Sequence, residues 1–188
     1  MYRLQVSMLD LGADVKAVSL DLSDPEHGEP ATGPEAAVIW ANVLAALAAA
    51  EPWALDFFSH TERIRDFCQR HSLKFRSATP RSLVIPALDR VSLTALFERF
   101  ESETFGTRAG GPHAGGTSPD PDAALEADIA RRGLDAYLRV WTNYFFCAIC
   151  DFSEGSLTLL SNRLWPAEIV RRLTPVLGDQ VHISVSSR

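Results

Sequence analysis

Reactive and signature-bearing residues are thin in this chain. Its three cysteines, Cys68, Cys147 and Cys150, cannot all pair, and two of them sit inside an apolar run instead of a spaced framework. Disulfide scaffolding is thereby excluded, a reducing compartment is the simpler setting, and a cytoplasmic location is expected. Lysine is nearly missing: Lys16 and Lys74 are the only two, and arginine supplies the remaining basic charge. Neither G-x-S-x-G nor H-E-x-x-H occurs, so two common hydrolase routes lack support. The glycine-rich stretch GTRAGGPHAGGTSPDPD has neither the G-K-[ST] ending of a phosphate loop nor the G-x-G-x-x-G spacing of a dinucleotide site. Long hydrophobic runs are also lacking. The oiliest segment, AAVIWANVLAALAAA, is broken by Asn42 and falls short of the roughly 18 to 20 apolar residues that a membrane span requires. The N-terminal MYRLQVSMLDLGADVK alternates and carries Asp10 and Asp14 where a signal peptide needs a continuous apolar stretch.

What is present points to a folded, soluble protein. Hydrophobic residues make up 46% and charged residues 22% of the 188, enough to bury a core without staples. The net charge of -6 disfavours indiscriminate nucleic-acid binding and suits a basic partner.

Period-2 alternation around Gly12-Ala13-Asp14 predicts a hairpin from strands over 2–9 and 15–22. Thr32 and Glu35 stand at capping-box spacing before the alanine-rich helix, whose bulky side is Ile39, Trp40, Val43, Leu44 and Leu47. The stretch WALDFF reads as a strand. Ser59 and Glu62 repeat the capping-box spacing and open a helix to about His71. A short strand over 82–85 and a helix over 91–103 follow, then Pro121 starts a helix ending near Gly133. Residues 140–152, apolar on both faces, read as a central strand that turns at Ser153-Glu154-Gly155 into a partner over 157–160. A helix from Trp165-Pro166 breaks at or shortly after Pro175, and Val181, Ile183 and Val185 alternate in a last strand.

These elements predict an α+β fold of two hairpin-helix-strand (ββαβ) halves, with a mainly antiparallel sheet packed against helices and extra helices between the halves. Residues 1–105 form the N-terminal half, 106–122 a flexible Gly/Pro-rich linker and 123–188 the C-terminal half, within one compact domain.

Three constellations carry potential chemistry. His60-Thr61-Glu62 with Cys147-Ala148-Ile149-Cys150 supplies the H-x-E and C-x-x-C parts of a zinc deaminase site, but Phe146 stands where that signature has proline. Residues three apart in a strand also point to opposite faces, roughly 10 Å apart along the backbone, too far for neighbouring tetrahedral ligands. Cys68 and His71, one helical turn apart, offer either half of a Cys3His site or a nucleophile and its base. Arg63, Arg65, Arg70, Lys74, Arg76 and Arg81 face Asp66 alone, a local basic segment able to grip an anion or an acidic partner.

The strong signals are structural, so the expectation is a non-catalytic protein-interaction or assembly module, with a protein partner or a homodimer, no cofactor, no metal, no nucleic acid and no membrane insertion. The alternatives are a small enzyme with a dispersed site drawn from His60, Glu62, Cys68 and His71, or an anion or nucleic-acid binder using Arg63, Arg70, Lys74, Arg76 and Arg81.

Overall fold

A computed structural model describes residues 1–12, 15–49, 51, 53–79, 82–86, 89–111 and 121–186. Nine strands form one sheet: β1 (Tyr2–Asp10), β2 (Lys16–Ser23), β3 (Trp53–Phe57), β4 (Arg76–Thr79), β5 (Ser82–Pro86), β6 (Thr104–Ala109), β7 (Phe146–Asp151), β8 (Ser156–Leu160) and β9 (Val181–Ser186). Their order across the sheet is β4-β5-β3-β6-β7-β8-β2-β1-β9. Every neighbouring pair is antiparallel except β1 with β9. The helices are α1 (Pro34–Ala48), α2 (Thr61–Arg70), α3 (Arg90–Arg99), α4 (Pro121–Arg132), α5 (Tyr137–Val140) and α6 (Pro166–Leu177). This is the expected α+β class, and none of the described helices is long and apolar enough to cross a membrane.

Although neighbours run antiparallel, the strands joined by α1, α2, α3 and α6 run parallel to each other and lie two or more places apart. Each of these helices is therefore a crossover, and all four lie on one face of the sheet, where their apolar sides meet Leu4, Val6, Val18, Leu20, Leu55, Phe57, Phe105, Phe146 and Leu157. The alanine-rich α1 lies at the centre of this core, because its alanines let α3 and α6 approach closely. Trp40 is 1% exposed and stacks on Phe152 at 4.7 Å between ring centroids. Phe97 and Phe105 meet the same ring edge-on. The Trp40 Nε1 is buried without an acceptor among the described residues, so packing alone holds the indole.

Helix starts depart from the sequence reading. Gly33 and not Thr32 precedes α1, with Pro34 in its first turn and no side-chain cap, and the Glu35 carboxylate accepts from the Tyr2 hydroxyl. The α2 start is His60 in the left-handed region, also uncapped, while Ser59 donates to Glu103. Proline pre-sets the first turn of α1, so a hydroxyl cap is dispensable there. The α3 cap is Asp89, which accepts from the Ser92 N–H at 3.0 Å, and that helix stops at Arg99. Pro175 sits inside α6, which runs on to Leu177.

Two larger corrections concern strands. The expected linker over 106–122 begins inside β6, which lies mid-sheet between β3 and β7. Glycine content suggested a loop, but Phe105, Thr107 and Ala109 alternate with Thr104, Gly106 and Arg108 as a buried strand does. The rest of that linker, 112–120, lies outside the described residues. The strand expected from 140 starts only at Phe146. Tyr137–Val140 is helical, and a 3-10 turn at Trp141–Asn143 precedes β7. The short strand β4 was not read from the sequence.

The β7–β8 turn is held against the first hairpin by Gly155. Its φ of +60° is in the left-handed region, and an added Cβ would sit 2.5 Å from the Leu22 carbonyl oxygen. Gly155→Ala is expected to cost about 2 kcal/mol or more, the left-handed penalty plus the clash, read as a lowered denaturant midpoint at unchanged m-value.

Candidate functional site

On the second face of the sheet, apolar packing gives way to a knot of charge. Arg108 projects from β6 with 3% of its surface exposed, next to Asp56 of β3 at 0% and Glu126 of α4 at 3%. The Arg108 guanidinium donates from Nε to Asp56 Oδ2 at 2.9 Å and from Nη2 to Asp56 Oδ1 at 3.1 Å. The same Nη2 donates to Glu126 Oε1 at 2.7 Å. Arg76 of β4 reaches that oxygen from outside, donating from Nε at 3.0 Å. The Tyr137 hydroxyl of α5 completes the knot by donating to Asp56 Oδ2. Two arginines thus oppose two carboxylates, and the fork geometry suits guanidinium.

Local sequence explains the arrangement. Asp56 and Arg108 fall on the second face because residues one apart on a strand alternate, and the β3–β6 register sets Asp56 opposite Gly106. Gly106 has no side chain where the Tyr137 ring lies: a Cβ there would approach the ring to 2.3 Å. Burial pushes the Asp56 carboxyl up, opposed first by the charge of Arg108 and then by the Tyr137 hydroxyl. Burial and the Asp56 charge push the Tyr137 phenol well above its ordinary range, so it remains a donor. The acidic members of the knot are sealed from solvent and engaged by the two arginines and the Tyr137 hydroxyl. The arrangement is a clamp that fastens α4 and α5 to the sheet, with no room at Asp56 for a reacting group.

The sequence-derived candidates scatter. Arg63 on α2 faces Glu103 at 3.7 Å and lies over the Phe100 ring. Arg70 donates to the Asp66 carbonyl, and Lys74 is exposed in the following loop. Arg76 belongs to the clamp on the opposite face, and Arg81 lies outside the described residues. The basic segment is thus divided between the two faces of the sheet. His60 Nε2 is 3.8 Å from Glu103, His71 stacks on Phe67 at 4.1 Å, and Cys68 is fully buried on the core side of α2. Cys147 and Cys150 point to opposite faces, Cys147 into the core under α4 and Cys150 into the main core. Burial pushes the Cys68 thiol up to about 11 and raises Cys147 and Cys150 further, so none is poised as a thiolate.

Asp56, Arg108, Glu126 and Tyr137 were not singled out from the sequence. The available signal was an acid inside WALDFF and an arginine beside glycine in a strand misread as linker.

The helical cover of the second face ends with α4 and α5. They close over Ala17, Cys147 and Leu160, and among the described residues no helix covers the remainder of the face of β9, β1, β2, β8 and the adjoining end of β7. Side chains there fall into two cross-strand rows, Ser186-Ser7-Ser19-Thr158-Ile149 and Ser184-Gln5-Asp21-Ser156-Asp151. At the sheet edges, α4 packs on β4, whose pairing with β5 is also irregular. At the other edge β9 presents VHISVS, with Val185 57% exposed and no proline, lysine, arginine, aspartate or glutamate.

Two measurements test these assignments. Arg108→Met is expected to destabilise the fold by about 3–5 kcal/mol, and Asp56→Asn in that background to recover part of it by removing the stranded charge, both read by chemical denaturation. Cys68, Cys147 and Cys150 are expected to resist a thiol reagent at pH 8 in the native protein and to react fully in denaturant; fast native labelling of any one would mark an accessible thiolate.

No family model, curated protein or solved structure matches the chain.

Proposed function

We propose that this protein is a non-catalytic protein-interaction module that takes a partner chain in strand addition along β9. The observation that carries this reading is the contrast between the two sheet edges. The β4 edge pairs irregularly with β5 and carries Arg76, which is held by Glu126 of the adjacent α4. The β9 edge has no such device among the described residues: it pairs in unbroken register with β1, has α6 on its core side, and shows Val185 to solvent. Sheet edges left in this condition template the pairing of another chain, main-chain hydrogen bonds supplying affinity and alternate side chains specificity. The burial of Cys68, Cys147 and Cys150 and the engagement of Asp56 by Arg108 and Tyr137 support a non-catalytic reading, since these groups are spent on packing and pairing.

A protein co-purified from the native host, identified and then reconstituted with the pure chain, tests the reading. Val185→Lys places a charge on the edge without touching the core and is expected to weaken that complex at least about tenfold, roughly 1.4 kcal/mol, at unchanged melting temperature. A strictly monomeric protein with no co-purifying partner, or a complex indifferent to Val185→Lys, would overturn it.

A further inference from the structure

The uncovered half of the second face carries a charge pattern that selects its occupant. No lysine or arginine occurs between residues 17 and 62 or between residues 140 and 162. These stretches supply β2, β7 and β8 together with the segments that meet at one end of the sheet. There the segment after β2 folds back on the β7–β8 turn: the Leu22 N–H donates to the Gly155 carbonyl at 2.7 Å, and Ser23 bridges to Pro30. Asp21, Asp24, Glu26, Glu29, Asp151 and Glu154 are thereby gathered at one corner. Among the described residues of these strands, Arg3, exposed on β1, is the lysine or arginine on this face.

The carboxylates nearest the face are held by local donors. Asp21 accepts from the Ser19 hydroxyl, Asp24 from the Glu26 and His27 amides, and Asp151 from Ser153, Thr104 and the Glu154 amide. Glu26, Glu29 and Glu154 are exposed. Between the corner and β9 lie the half-buried hydroxyl side chains of Ser186, Ser19 and Thr158, in register with a buried Ser7, and Gln5 and Ser184 stand half-buried in the next row. Such a surface is lined mainly by hydrogen-bonding side chains, so it does not suit an oily helix.

Charge then decides among occupants. A nucleic acid or an anionic membrane surface would meet repulsion at this corner, and a second copy of the chain would bring the same carboxylates against it. We propose that the open sheet face from β7 to β9, with its acidic corner, is the docking surface for a lysine- or arginine-rich segment of a partner protein. This deepens the interaction reading and rests on it: the partner pairs with the β9 edge and lays its basic segment across the hydroxyl rows, where carboxylates and hydroxyls accept from its ammonium or guanidinium groups. Long-range attraction to the corner steers its approach.

The probe is a fluorescein-labelled deca-lysine peptide, followed by anisotropy at about 20 mM and about 200 mM salt. Binding is expected at the lower salt and to weaken at the higher. Glu26→Lys/Glu154→Lys replaces two exposed carboxylates without a hydrogen-bonding role for their side chains, and is expected to weaken binding about tenfold. Thr158→Trp blocks the face without changing charge and is expected to do the same. Glu62→Lys/Glu98→Lys makes the same charge change on exposed positions of α2 and α3 and is expected to alter binding less than about twofold. Equal loss in that control pair, no loss in Thr158→Trp, or no binding of deca-lysine at low salt would overturn the proposal. If the reconstituted native complex falls to Val185→Lys but survives the corner and face variants, the edge reading stands and this surface assignment falls.

Discussion

Arg108 lies within a nine-stranded sheet with almost no contact with water, and the covering of one face depends on how its charge is met. Taking such an ion out of water costs several kcal/mol, recovered only with good geometry. Asp56 supplies a fork partner from the next strand, and Glu126 supplies a second carboxylate from α4. Helix α4 therefore cannot slide along the sheet as a purely apolar helix could, because any displacement of Glu126 leaves Arg108 and Arg76 short of an acceptor. Tyr137 imposes a similar demand on α5, since the ring fits only over Gly106 and the hydroxyl must reach Asp56. The two faces are thus built on different principles. The main core uses non-directional burial around Trp40 and Phe152, whereas the second face uses a directional clamp at one end and is left open at the other.

Much of the fold was legible because its elements obey simple periods. The first hairpin, α1, α2, α6, the second hairpin and β9 follow from alternation or helical spacing, and both hairpin-helix-strand units were visible in that order. The misreadings share a cause. The segment containing β6 has the composition of a loop, but Gly106 is small to admit a ring from α5, a reason that lies 31 positions away in sequence. Residues 140–145 look like strand because Val140, Trp141, Tyr144 and Phe145 are apolar or aromatic, but a central strand needs partners over its whole length and β6 offers them only from Phe146 onward. The clamp was illegible for the same reason. An aspartate, an arginine, a glutamate and a tyrosine in four separate elements carry no local pattern, and only the sheet order brings them together.

The basic segment illustrates the limit of charge counting. Arginines adjacent in sequence between 63 and 81 pass from a helix on one face, through a loop, to an edge strand, and what reads as one patch is spent on Glu103 at one end and Glu126 at the other. The contrast that survives folding is the opposite one. Stretches without lysine or arginine lie beside each other in space because β2 and β8 are neighbours, and an acidic corner results from two segments more than a hundred residues apart.

The strand order also has a consequence for the way the chain reaches its native state. The two hairpins meet back to back through β2 and β8, and α1 carries the chain from β2 past three strands to β3. Those three places are filled by β8, β7 and β6, all later in sequence, so β3 and the first hairpin form opposite banks of a gap until residue 160 is available. Loop closure across such separations is paid for before contacts return it, which places the zipping of β8 onto β2 late and makes it slow. During synthesis the emerging chain must therefore hold an oily α1 and an unpaired β2 edge without their partners. The protein should refold more slowly than its helix content suggests, and the interval before β8 arrives is when the chain is most prone to aggregate or to need a chaperone.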